Sequence, residues 1–211
     1  NGMIISWNGV NWVSVESPTT SDIACVEMID ADNGWAVGSN GAIIQWNGAT
    51  WGNVTSPTQK YLTSVDMLSA TDGWAVGEYG VIINWDGTEW SNVTAPTLLD
   101  LFDVSMISSN DGWAVGSNGT IIHWNGVEWS TAHTSPTNWD LYSVNMVSAN
   151  DGWAVGAYGT IIHWNGFEWI PEFPTSVIMP LLVGLTLVAI FLRKVTSGKF
   201  RKLSLSKKAE Q

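Results

Sequence analysis

The sequence contains one cysteine, Cys25, and before residue 193 only one basic residue, Lys60, with no arginine at all. A lone cysteine excludes an intrachain disulfide, and the expected role of Cys25 is that of a small buried hydrophobe. Eighteen carboxylates face that single lysine in residues 1–172, so this stretch carries about −17. A surface so acidic repels a phosphate backbone, which excludes nucleic acid as a partner. No helical hydrophobic period appears before residue 174. Nor does Asn1 open a charged and apolar leader, so either a removed signal peptide or a missing front is expected.

What the chain has in abundance is glycine and tryptophan, 21 and 15 residues, and they are periodic. Asn33-Gly34-Trp35-Ala36-Val37-Gly38 returns as Asp-Gly-Trp-Ala-Val-Gly at 72–77, 111–116 and 151–156, with Trp35, Trp74, Trp113 and Trp153 in register. Ile-Ile-x-Trp-[Asn/Asp]-Gly places Trp7, Trp46, Trp85, Trp124 and Trp164 at intervals of 39, 39, 39 and 40. A third tryptophan follows five residues later at 12, 51, 90, 129 and 169. The extra residue of the last interval lies between Trp129 and Pro136, where a surface loop is expected.

Each unit reads as four short strands separated by Gly, Asn, Asp or Pro. Asn-Gly or Asp86-Gly87 between the third and fourth strands predicts a tight hairpin, because such a turn needs positive φ. Ser/Ala-Pro-Thr from residues 17, 56, 95 and 135 would carry the chain from an outer strand to the next inner strand. Four antiparallel strands per unit match the blade of an all-β propeller. The predicted layout is a half unit at 1–16, full units at about 20–55, 59–94, 98–134 and 138–170, then one transmembrane α-helix. The half unit holds only third and fourth strands, so the chain is expected to be part of a larger propeller.

The pattern Ser-x-x-Asp-Gly-Trp-Ala-Val-Gly-x-x-Gly-x-Ile-Ile resembles the repeats of the photosystem II assembly factor-like and Asp-box (BNR-type, sialidase-type) propellers over about residues 1–170. The resemblance implies the fold and says little of function, since such repeats serve unrelated proteins.

Residues 175–192 carry no charge and, as a helix, span roughly 27 Å, enough to cross a bilayer. Arg193 and Lys194 follow, in a tail 193–211 of charge +6, so the positive-inside rule puts the tail in the cytoplasm and the propeller outside. Pro171-Glu172-Phe173-Pro174 before the apolar run resembles the archaeal PEF-type C-terminal sorting signal. That resemblance implies a cell-surface protein, an archaeosortase as partner and a lipid in place of the helix. Retention as a single-pass anchor stays open, because the tail runs seventeen residues past Lys194.

Candidate sites are few. A sialidase needs clustered arginines, so that chemistry is excluded. Asp72, Asp111 and Asp151 recur at a turn, where an aspartate bonds its own backbone. Asp30-Ala31-Asp32-Asn33-Gly34 opens like a calcium loop, a weak candidate because sister units lack its oxygens. His123 and His163 occupy equivalent third-strand positions filled by Gln45 and Asn84 elsewhere, which reads as polar strand positions rather than metal ligands. Fourteen tryptophans fit blade-to-blade packing with partnered N–H groups. Trp139, out of register, and the third tryptophan of each unit are weak sugar-binding candidates. Asn53, Asn92 and Asn118 head acceptor sequences for N-glycosylation.

No cofactor is expected, and nothing assembles a nucleophile, a base and an oxyanion site. The expected function is a non-catalytic envelope-anchored propeller that contacts a protein or glycan. Two alternatives stay open: a secreted glycoside hydrolase-like propeller with its catalytic residues in a missing front part, and an assembly factor for a membrane complex.

Overall fold

The structure, a computed structural model, describes residues 2–131 and 133–172. The sorting residues Phe173 and Pro174, the apolar run 175–192, Arg193, Lys194 and the basic tail lie outside the described residues. Among the described residues no helix is long and apolar enough to cross a membrane.

A two-stranded hairpin, β1 (Ile4–Trp7) and β2 (Trp12–Val15), precedes four four-stranded sheets. The first is β3 (Ile23–Met28), β4 (Gly34–Gly38), β5 (Ile43–Trp46) and β6 (Trp51–Asn53). The second is β7 (Leu62–Ser69), β8 (Asp72–Gly77), β9 (Ile82–Trp85) and β10 (Trp90–Val93). The third is β11 (Leu101–Ser108), β12 (Asp111–Gly116), β13 (Ile121–Trp124) and β14 (Trp129–Ser130). The fourth is β15 (Leu141–Ser148), β16 (Asp151–Gly156), β17 (Ile161–Trp164) and β18 (Trp169–Pro171). Within each sheet the strands pair antiparallel in chain order, as blades of a β-propeller do. The repeat reaches past residue 170: Ile162 pairs Pro171 and the Glu172 N–H donates to the Ile161 carbonyl at 2.8 Å, with the proline on the outermost strand.

The turn between the third and fourth strands is longer than a two-residue hairpin. Trp7 pairs Trp12 and Trp46 pairs Trp51, which leaves four residues in the loop. The asparagine does not take positive φ; its Oδ1 accepts two backbone N–H groups instead, as Asn47 does from Ala49 at 3.1 Å and Thr50 at 2.9 Å. The glycine after it takes the positive φ, 88° at Gly48. Gly73, before the second-strand tryptophan, answers to packing: a Cβ there would stand 2.2 Å from Met67 Sδ.

The core lies between blades. Trp35 is fully buried and meets Trp85 and Trp90 of the next blade at 4.8 and 5.4 Å between ring centroids. Trp74 repeats this with Trp124 and Trp129, and Trp113 with Trp164 and Trp169. Each such indole buries on the order of 200 Å² of largely apolar surface, several kcal/mol of driving force at about 25 cal/mol per Å². Trp153, on the last described blade, remains 40% exposed.

The expectation that every indole N–H finds a partner is corrected. Trp46, Trp85, Trp124 and Trp164 donate to the carbonyls of Ala31, Ala70, Ser109 and Ala149 at 2.9–3.0 Å. Among the described residues, the N–H groups of Trp35, Trp74, Trp90, Trp113, Trp129 and Trp169 are buried without one. These six rings meet in three edge-to-face pairs at 78–83°, so a ring edge rather than an oxygen faces the neighbouring π cloud.

Candidate functional site

Inner strands of consecutive blades have no ladder between them, so their joints are made by side chains. Glu27 on β3 accepts the Met67 N–H of β7 on Oε2 at 2.7 Å. One blade on, Asp66 Oδ2 accepts the Met106 N–H, and at the next joint Ser105 Oγ accepts the Met146 N–H at 3.1 Å. Two residues earlier in register, Asp103 gathers three donors from two blades. Ser64 Oγ donates to its Oδ1 at 2.7 Å, while Ser143 Oγ and the Val144 N–H donate to its Oδ2 at 2.8 and 2.9 Å.

These joints line up three half-buried carboxylates, Glu27, Asp66 and Asp103, on successive inner strands. Burial pushes the Glu27 carboxyl up to about 7, with the Asp66 charge adding to the effect and the Met67 N–H opposing it. Burial likewise raises Asp66, with Asp103 as the neighbouring charge. The row is therefore a strip of acidic groups with no counter-ion among the described residues, an arrangement that can take up a proton or a cationic side chain. Among the described residues no group of three or more His, Cys, Asp and Glu is placed to hold a metal ion, and this includes Asp30 and Asp32. Asp30 Oδ1 instead accepts the Asp32 N–H at 2.7 Å and is met by the Asn33 amide, which closes the loop.

At one end of every blade a tight 3₁₀ turn, Ser39–Gly41, Glu78–Gly80, Ser117–Gly119 or Ala157–Gly159, joins the second strand to the third. Its middle residue is left-handed: Asn40, Tyr79, Asn118 and Tyr158 have φ of 54–59°. The following linker packs onto it so closely that a Cβ on Gly80 would stand 2.1 Å from the Thr97 carbonyl. Asp100 and Asp140 accept the backbone N–H groups of Tyr79 and Asn118, each at 2.8 Å, and so tie one blade to the previous turn. Lys60 Nζ stands 4.4 Å from the Tyr79 ring centre, and at the equivalent place Trp139 meets Tyr158 at 4.3 Å.

The turn role expected of Asp72, Asp111 and Asp151 belongs to the serine three residues before each. Ser69, Ser108 and Ser148 accept the N–H groups of Thr71, Asn110 and Asn150 at 3.2–3.3 Å. Asp111 and Asp151 instead open the second strand, and each meets a third-strand histidine, His123 or His163, at 2.8 Å. Each ring then lies 4.3 Å from the second-strand tryptophan, Trp113 or Trp153. Asn53 and Asn92 donate their amides to the Pro18 and Pro57 carbonyls of the preceding linkers at 3.0 and 3.2 Å. Asn118 is exposed on its turn.

The third tryptophans are withdrawn as sugar platforms where a blade covers them. Trp51, Trp90, Trp129 and Trp169 are at most 9% exposed, and only Trp12 and the out-of-register Trp139 show 65% and 53%.

No protein-family model matches the chain, and no curated protein does. Solved structures do. One described as "YCF48 bound to D1 peptide" is 22% identical, with a TM-score of 0.63 over 82% of this chain and 59% of that one. The fold is that of a propeller. "YCF48 from Cyanidioschyzon merolae" matches at 15% identity and a TM-score of 0.60, over 81% of this chain and 63% of its own. The RRP9 WD40 repeats match at 12% and 0.61, over 75% and 53%. The chain thus spans about three fifths of the length of the propellers it resembles.

The row Glu27, Asp66 and Asp103 was not legible as a site in the sequence. Its positions vary from unit to unit, Glu27/Asp66/Ser105/Asn145 and Cys25/Ser64/Asp103/Ser143, among flanking residues that hardly change. That contrast, polar variety inside a constant frame, is the signal that would have marked it.

Proposed function

We propose that this protein is a non-catalytic propeller that receives a basic segment of a protein partner at the inner-strand carboxylates. The observation that carries the reading is the row Glu27, Asp66 and Asp103 on successive inner strands, where burial, with the neighbouring charge adding to it, raises the Glu27 and Asp66 carboxyls and no cation of the described residues pairs with them. A lysine or arginine brought to the row restores the ionised carboxylates and gains charge-assisted hydrogen bonds. The acidic body adds long-range attraction and, with Lys60 its only cation, little self-pairing.

A solved propeller of the same fold is described with a bound peptide, which supports a protein ligand for this architecture. Within this reading the partner belongs to a membrane complex and the propeller acts as an assembly factor or surface receptor. The propeller stands outside the cell, with residues 175–192 as a transmembrane anchor or residues 171–194 as a sorting signal. The test is selection from a displayed random peptide library. Enriched peptides are expected to carry lysine or arginine, to lose affinity with rising salt, and to lose at least tenfold in Glu27→Gln/Asp66→Asn. Enrichment of neutral peptides that bind the double variant equally well would reject the reading.

A further inference from the structure

Trp139 has no counterpart in the other units. Ser21, Lys60 and Leu99 hold its position, and the one extra residue of the whole array lies just upstream, between Trp129 and Pro136. The indole is 53% exposed, whereas every second-strand and fourth-strand tryptophan that faces a following or preceding described blade is buried. Blade packing therefore does not account for it.

Its surroundings are arranged. The ring meets Tyr158 at 4.3 Å and 50°, and Tyr158 is itself 84% exposed on a left-handed backbone with φ of 55°. A bulky side chain in that conformation costs on the order of 1 kcal/mol, and an equivalent turn uses the better-suited Asn118. With most of its ring in water, Tyr158 does not recover this cost by burial. The linker that bears Trp139 is held by its own hydroxyls. Ser135 Oγ donates to the Thr137 carbonyl at 3.0 Å, and the Trp139 N–H donates to Thr137 Oγ1 at 3.0 Å.

Ser135, Pro136, Thr137, Asn138 and the indole itself line an open surface pocket of about 490 Å³. That volume falls in the range of small-ligand sites, roughly 300–1,000 Å³. None of its lining residues is charged, in a body that holds eighteen carboxylates. The neighbouring Asp140 has its Oδ1 engaged by the Asn118 N–H.

We propose that Trp139 and this linker form a binding site for a neutral saccharide. An exposed indole offers a flat apolar face to the C–H face of a pyranose ring. The amide of Asn138 and the O–H of Thr137, whose oxygen accepts the Trp139 N–H, offer neutral donors and acceptors to its hydroxyl groups. The missing charge in the lining disfavours sialylated, sulfated or uronic ligands as well as basic peptides. This site is separate from the inner-strand carboxylates, so the two readings stand or fall independently.

The test is binding of the 211-residue chain to an array of neutral and anionic oligosaccharides, with calorimetry on each hit. One arm uses the free oligosaccharide and another the same glycan on a glycoprotein. Trp139→Lys, which installs the residue found at Lys60, keeps the fold of a sister unit and is expected to weaken binding at least tenfold, while Trp139→Phe keeps most of it. Binding in the free arm alone identifies a polysaccharide source, and binding in both arms a glycan-bearing partner. An array with no neutral hit, a preference for anionic sugars, or unchanged affinity in Trp139→Lys would overturn the proposal.

Discussion

Glu27 Oε2 and the Met67 backbone N–H stand 2.7 Å apart, on inner strands of two different blades and 40 positions apart in the chain. The contact replaces a strand ladder where none is possible, and it is made by a carboxyl whose proton leaves near pH 7 in the folded protein.

Stability should therefore depend on pH through Glu27. The folded carboxyl holds its proton up to about 7, while the unfolded one releases it near 4.5. Between these values the folded state binds more protons, so this group's contribution to stability falls as pH rises from about 4.5 to about 7 and stays low above it. Glu27→Gln should raise the melting temperature at pH 8 and leave it nearly unchanged at pH 4. For a half-exposed group the gain is on the order of 1 kcal/mol after solvent screening. Equal shifts at both pH values would refute this assignment.

Asp103 joins three blades through Ser64, Ser143 and the Val144 N–H. Asp103→Ala should cost about 1.5–3 kcal/mol, the range for hydrogen bonds to a charged group. Double-mutant cycles with Ser64→Ala and Ser143→Ala should show coupling at both joints, read from urea unfolding.

Trp113, 2% exposed between the third and fourth blades, and Trp139, 53% exposed, should behave oppositely. Trp113→Ala should destabilise by about 3–5 kcal/mol, and Trp139→Ala by less than about 1 kcal/mol. Thermal melts of the two variants separate a packing tryptophan from a surface one.

The left-handed turns make a backbone prediction. Asn118→Gly should be neutral or slightly stabilising, whereas Asn118→Val should cost about 1–2 kcal/mol, because φ of 54° crowds a β-branched side chain. Equal melting temperatures for the two variants would contradict the strain.

The repeat, the four strands per blade and the packing tryptophans were legible in the sequence because each unit restates them at the same spacing. Trp35, Trp74 and Trp113 do the same work three times. What periodicity hides is whatever joins one unit to the next. Asp103 reaches Ser64 and Ser143, 39 and 40 positions away, and neither partner is a charged residue that would announce it. The meeting of Asp111 with His123 was missed for a similar reason: the two sit on adjacent strands, and only the strand register brings them together. The hairpin turns were placed correctly but read as too short. The Asn47 side chain replaces a backbone turn with an Asx turn, a choice that Asn-Gly alone does not reveal.

The most direct measurement is zero-length carbodiimide cross-linking of the protein in extracts of its native cells, with the coupled sites read by mass spectrometry. Lys60 is the only lysine among the described residues, so an amide bond from Glu27 or Asp66 to any other lysine in a second protein identifies the partner and the contact together. The account predicts cross-links from Glu27 or Asp66 that fade with salt and vanish in Glu27→Gln/Asp66→Asn. A partner that couples only through other carboxylates, unchanged in the double variant, would contradict it.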